Sequence, residues 1–249
     1  MTKQKVQWEK FAAHKGRNAA TCFTSVLLVA VVCRKTMYSI EHNTSNLPVE
    51  GVPHLGCSRA RVTHQISRRP ASVILHSDRI AERIGRPLTT EVVIRFWLTD
   101  LPPEKMSKTF ETRIRGRRFA YWSRPIRLGH RVDENGPPTY VWVAEGGRSH
   151  PHIHWCLHLA NGQRDSFERG LRKWIAAVPE LAAVPFEELV TTRDVWDFTR
   201  YKLYLVKGID PHYGRSWNVR RVEPQGEIVG KRCGTSKNLS RAARKAAGL

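Results

Sequence analysis

Residues 150–159 read HPHIHWCLHL, a run in which every second side chain can bind a metal ion. His150, His152, His154, Cys156 and His158 alternate with Pro151, Ile153, Trp155, Leu157 and Leu159. A period of two belongs to a β-strand, whose successive side chains point to opposite faces. One face of such a strand is bulky and apolar, and the other presents nitrogen and sulfur ligands. His152 and His154, roughly 6–7 Å apart at Cα along that face, can lean onto one ion. The preceding "TYVWVAE" (139–145) is a second strand and "GGRSHP" (146–151) a turn, so the two should pair antiparallel. Glu145 then ends the first strand across the turn from the histidines and can complete a set of three ligands. Two imidazoles and a carboxylate suit Mg²⁺ or Mn²⁺ where a phosphate oxygen is a further ligand.

The flanking segments define the fold class. "SDRIAERIGRP" (77–87) reads as a short helix capped by Ser77, and "EVVIRFWLTD" (91–100) as a central strand that stops at Pro102–Pro103. "RDSFERGLRKWIAAVPE" (164–180) places Phe167, Leu171, Trp174 and Ile175 at helical spacing. "RDVWDFTRYKLYLVKG" (193–208) reads as another helix, with Trp196, Leu203 and Val206 as its core stripe and Gly208 at its C-terminal end. Strands and helices that do not alternate regularly point to an α+β domain, an antiparallel or mixed sheet with helices on one face. Three regions are expected: a poorly defined extension (1–65), a folded domain (66–220) and a basic C-terminal segment (221–249).

Forty-two Lys and Arg against twenty-two Asp and Glu give a net charge of +20. That surplus points to a polyanionic partner, nucleic acid before membrane. Cys22, Cys33, Cys57, Cys156 and Cys233 form neither an even set nor a CxxC pair, which favours a reducing, intracellular compartment, a bacterial cytoplasm being the expected one. The apolar run 22–33 is shorter than the ~20 residues of a spanning helix, so no stable membrane partner is expected. In 108–131, Arg117, Arg118, Tyr121, Trp122 and Arg124 interleave guanidinium groups with rings, which suits phosphate tracking and base stacking along a single strand.

A tyrosine can supply phosphodiester chemistry without activated water. Tyr204 and Lys207 lie one helical turn apart, and a nearby cation favours phenolate character. Attack by the phenolic oxygen leaves a phosphotyrosine and a free 3′-hydroxyl, which keeps the bond energy for rejoining. Tyr201, one turn earlier, is the rival nucleophile.

In chain order, Phe96–Trp97–Leu98–Thr99, then His152–Ile153–His154 with Glu145 upstream, then Tyr204–Leu205–Val206–Lys207 resemble the three motifs of the HUH endonuclease superfamily. The likeness is to the rolling-circle replication initiators of phages and small plasmids. The closing "GEIVGKRCGTSKNLSRAAR" (226–244) is similar to a stretch that follows the nucleophile helix in some phage-type initiators. The resemblance covers about residues 90–245 and implies an RRM-like antiparallel sheet, with histidines on a central strand and the tyrosine on a facing helix. It implies metal-dependent nicking and rejoining of single-stranded origin DNA through a 5′-phosphotyrosine intermediate. Without a GxxxxGK[ST] loop, such a module depends on a host or partner helicase. The competing classes are a non-catalytic single-stranded nucleic-acid-binding protein, a relaxase or transposase of the same chemistry, and a metal-dependent phosphodiesterase that activates water. His150, Cys156 and His158 leave the ligand set open, and Tyr201 beside Tyr204 leaves open one- versus two-tyrosine chemistry.

Overall fold

Alternation of β-branched and aromatic residues builds the centre of the molecule. A computed structural model describes residues 61–248, except 125, 128–129 and 132–134, together with the side chains of 125–134; the expected N-terminal extension, with its apolar run, lies almost wholly outside the described residues. The principal elements are α1 (Arg68–Arg83), β1 (Thr90–Arg95), α2 (Pro103–Thr109), β2 (Tyr140–Glu145), β3 (His152–Leu157), α3 (Arg164–Ala176), β4 (Val190–Asp194), α4 (Phe198–Leu205) and β5 (Cys233–Thr235). The five strands form one antiparallel sheet in the spatial order β4-β1-β3-β2-β5. From β1 to β4 the chain runs β-α-β-β-α-β, the split β-α-β arrangement.

The sheet buries both faces. Val92, Ile94, Trp142, Ile153, Trp155 and Leu157 pack under the helices of 103–123 and α3, with Phe110, Phe119, Phe167 and Leu171 filling the layer. Val141, Val143 and Cys156 pack on the opposite side, under α1, α4 and the 206–239 region, with Ile74, Ile80, Phe198, Leu205 and Leu239. Helices on one face were expected; they lie on both, because the ligand face also carries apolar residues that must leave water. The basic C-terminal segment is no appendage either. It supplies edge strand β5 and a short strand, Ile228–Val229, paired with Val62–Thr63.

Several boundaries differ from the sequence reading. The first helix starts at Arg68, and Ser77 is buried inside it, its hydroxyl donating to the Ile74 carbonyl at 2.7 Å rather than capping an end. The 193–208 segment begins as the end of β4, and Trp196 lies in the following loop, 95% exposed. Leu203 is also largely exposed, whereas Phe198 and Leu205 face the core. The aromatic–arginine stretch of 108–131 is largely helical: α2 runs into a π-helix, Phe110–Phe119, and a last α turn, Ala120–Ser123. Gly116 permits that wider turn, since a Cβ there would lie 2.1 Å from the Glu111 carbonyl oxygen.

Helix α4 is fixed to α1 by Asp78, which pairs with Lys202 Nζ and accepts from Thr199 Oγ1 at 3.3 Å. Burial pushes the Asp78 carboxyl up, but Lys202, the Arg79 backbone and Thr199 outweigh it and hold the pKa below its ordinary value. A depressed carboxyl stabilises the fold above its unfolded pKa, and that contribution is lost as pH falls through the folded pKa. Asp78→Asn is expected to lower stability at neutral pH by about 3 kcal/mol, the low end for stranding one partner of a buried pair. The gap from wild type should narrow as pH falls below about 4, a comparison that chemical denaturation at several pH values makes directly.

Candidate metal and tyrosine centre

Register places the ligands. Glu145 pairs with His152 across β2 and β3, Val143 with His154, and Val93 of β1 faces His154 from the other side. Opposed residues of an antiparallel pair share a face, so Glu145, His152, His154 and Glu91 line one side of the sheet. The turn between the strands requires glycine. Gly146 has φ +83°, and a Cβ on it would sit 1.8 Å from the His150 carbonyl oxygen and 3.0 Å from His152 Nδ1.

Glu145, His152 and His154 each place a ligand atom within 4.8 Å of the others. Glu145 Oε2 stands 3.5 Å from Nε2 of both histidines. The other ring nitrogens are committed: His152 Nδ1 donates to the His150 carbonyl at 2.7 Å, and His154 Nδ1 to Glu91 Oε1 at 2.7 Å. Carbonyls and carboxylates only accept, so each Nδ1 carries the proton and each Nε2 faces Glu145. Glu145 Oε1 and His154 Nε2 are buried without a hydrogen-bond partner. A carboxylate and two imidazoles gathered within 4.8 Å, with buried oxygen and nitrogen atoms that lack hydrogen bonds, are a set that a divalent cation can satisfy, so the residues fit such an ion. Burial opposes ionisation of Glu145, yet the two imidazoles and Lys207 hold its carboxyl well below the usual range. Burial likewise disfavours the His154 imidazolium, but Glu145 and Glu91 outweigh it and raise the pKa.

The sequence reading missed Glu91. It is 0% exposed and accepts from His154, from the Tyr201 hydroxyl and from Arg193. A carboxylate behind a ligating imidazole fixes its tautomer and raises its basicity. The signal was present: Glu91 is the lone acid in the apolar strand EVVIRF, on the face of Val93 rather than that of Val92 and Ile94.

The tyrosines separate sharply. Tyr201 gives its hydroxyl to Glu91 and lies 3.2 Å from His154 Nδ1; burial first, then the nearby Cys156 and Glu91, pushes its phenol far above the ordinary value. Tyr204 is 37% exposed, and among the described residues its hydroxyl makes no hydrogen bond. Its ring stands edge-on to His154, with centroids 5.5 Å apart, and stacks on Tyr201 at 5.6 Å. Lys207, just beyond the end of α4, bridges the two halves: its Nζ lies 3.5 Å from the Tyr204 ring centroid and 2.5 Å from Glu145 Oε2. The sequence-predicted residues Glu145, His152, His154, Tyr204 and Lys207 therefore meet. Trp97 joins them at the rim, its ring edge-on to His152 at 5.4 Å.

Tyr201 lies beside them, but the remaining predicted residues hold no ligand or nucleophile position there. His150 lies exposed in the turn, His158 Nδ1 is tied to the Pro87 carbonyl at 2.8 Å, and Cys156 is sealed in the core, where burial raises its thiol well above the usual range. Arg117, Arg118, Tyr121, Trp122 and Arg124 belong to the helical layer on the opposite side of the sheet. Trp122 is no free stacking platform, because it stacks on Phe119 at 5.7 Å and gives its indole N–H to Ser166 Oγ at 3.3 Å. Arg117, Arg118 and the 58% exposed Tyr121 instead line a surface groove of about 690 Å³ on that side.

What the fold and centre define is an α+β domain in which Glu145, His152 and His154 form a group that could hold a metal ion, beside an exposed tyrosine and a buried lysine. Comparison with protein-family models, curated proteins and solved structures found no match. Among the described residues, no helix is long and apolar enough to cross a membrane.

Proposed function

We propose that the protein cuts and rejoins single-stranded DNA with Tyr204 as nucleophile, as a rolling-circle replication initiator of the HUH type. The observation that carries this is the meeting of an uncommitted phenol and a lysine with two histidines and a glutamate on one sheet face. The split β-α-β order, with histidines on a central strand and the tyrosine on a facing helix, supports an RRM-like HUH core. The burial of the Tyr201 hydroxyl against Glu91 supports chemistry by one tyrosine.

The Tyr204 phenol gives up its proton to water as its oxygen attacks the scissile phosphorus, the bond to the 3′ oxygen breaks, and that oxygen takes up a proton from water and leaves as a 3′-hydroxyl. The 5′-phosphate stays on the tyrosine as an ester, ready for the reverse attack. Lys207 Nζ, beside both the phenol ring and Glu145, is placed to bind a phosphate oxygen. Glu91 holds His154 in one tautomer, and Trp97 offers a ring beside His152 for a flanking base. A Mg²⁺ or Mn²⁺ ion held by Glu145, His152 and His154 would polarise the phosphorus–oxygen bond and neutralise developing charge.

The test incubates the protein with a labelled random-sequence pool of single-stranded DNA and Mn²⁺, then resolves the products on a denaturing gel. A label that migrates with the polypeptide, and that EDTA removes, is the expected outcome. Cleavage without adduct would mean hydrolysis by water and would sink the tyrosine mechanism. Neither cleavage nor adduct would leave a binding protein.

A further inference from the structure

The sheet has one strand edge that a basic groove follows. Among the described residues strand β5 pairs only with β2, and a cavity of about 910 Å³ is lined by β5, the first turns of α1 and the C-terminal helix Arg241–Ala246. Arg68, Arg69, Lys231, Arg241 and Arg244 line it, Trp217 adds an aromatic ring, and no acidic residue takes part. The start of α1 and two segments near the C-terminus thus bring five cations to one trough.

That concentration of charge costs stability. Arg68 and Arg69 occupy the first turn of a 16-residue helix with no acid in that turn and no side-chain cap. Positive charge there opposes the helix dipole. Among the described residues, Arg68, Arg69, Arg241 and Arg244 pair with no carboxylate, although Arg68 lies over the Tyr213 ring at 5.7 Å. A binding polyanion turns the same arrangement into a gain.

The groove lies two strands from the tyrosine centre, with the core residues Cys233 and Val143 between them. Cys233, on its floor, pairs with Val143, and Val143 pairs with His154. Two strand spacings, about 10 Å, therefore separate groove and ligand on one face of the sheet. We infer that this trough is the track along which single-stranded DNA approaches Tyr204, with backbone phosphates on the arginines and a base against Trp217. The inference rests on the proposed function and names the binding surface for its substrate. A single strand fits better than a duplex, since a trough with one ring serves a flexible backbone whose bases can turn to stack.

The test measures binding of a fluorescent oligothymidylate by anisotropy, in EDTA to prevent cleavage, across a salt series. It compares wild type with R68Q/R69Q/R241Q/R244Q. Four lost phosphate contacts should flatten the log–log salt slope by about 3, at about 0.7 per contact for single strands, and weaken binding at moderate salt on the order of tenfold to hundredfold. Removing arginines from the α1 N-terminus relieves the dipole, so an unchanged Tm rules out misfolding as the cause. An unchanged slope overturns the inference, as does equal or stronger loss of binding to duplex DNA or to phosphatidylserine vesicles. Self-association of the variant with DNA binding intact would also overturn it and make the cations guards of an open strand edge. If wild type forms no adduct, the tyrosine mechanism fails while the salt series still decides the groove.

Discussion

Tyr204→Phe is expected to abolish the protein–DNA adduct, while Tyr201→Phe is expected to retain it. The two rings sit one helical turn apart and stack on each other, so composition and spacing treat them alike. Their hydroxyls do not. That of Tyr201 donates to a carboxylate with no solvent exposure, in a setting that keeps it protonated. That of Tyr204 is open to an incoming phosphate. Loss of a nucleophile costs on the order of 10⁶-fold in a serine protease, so no adduct should be visible on a gel after Tyr204→Phe. Tyr201→Phe removes one of three donors to Glu91, worth about 1–3 kcal/mol for a buried acceptor that keeps other partners. At about 2–4 °C per kcal/mol for a domain of this size, its Tm should fall visibly while its adduct persists. Adduct lost in Tyr201→Phe and retained in Tyr204→Phe would reverse the assignment and make the exposed ring a stacking surface.

What could be read from the sequence follows the range of the physics involved. Alternation along 152–157 and the two glycines of the turn are local, and they placed His152, His154 and Glu145 together without knowledge of the fold. The spacing of Phe167, Leu171, Trp174 and Ile175 is also local, and all four are buried in α3. The exposed Trp196 shows where such reasoning fails: spacing counts a bulky ring beside a helix into its stripe, although Asp197 caps that helix by accepting from the Arg200 N–H at 3.0 Å, leaving Trp196 outside. The π-helix of 110–119 has no period that a pattern of 2 or 3.6 detects, so the arginines and aromatics of 117–124 read as one surface, whereas Phe119 and, in the next turn, Trp122 pack inward. Glu91 needed register between strands about sixty residues apart, which periodicity within either strand does not give.

That distant carboxylate carries the second large effect. Glu91→Ala is expected to weaken Mn²⁺ binding 10- to 100-fold, about the loss typical when the partner behind a ligating histidine is removed. The variant strands the His154 N–H and the Tyr201 hydroxyl in the core, and it leaves Arg193 without its partner. Removing one member of a buried charged set costs about 3–5 kcal/mol, or about 6–20 °C in Tm at the scaling for this chain length. Stability and metal affinity can be separated with Glu91→Gln. Its carboxamide oxygen still accepts one hydrogen bond, so the Tm should recover in part, while the negative charge that raises imidazole basicity is gone and Mn²⁺ affinity should stay low. The two variants are compared by thermal melts and by calorimetric Mn²⁺ titration at a temperature below the lower Tm. If Glu91→Gln binds Mn²⁺ as wild type does, the carboxylate only braces the sheet, and the ion site is set by Glu145, His152 and His154 alone.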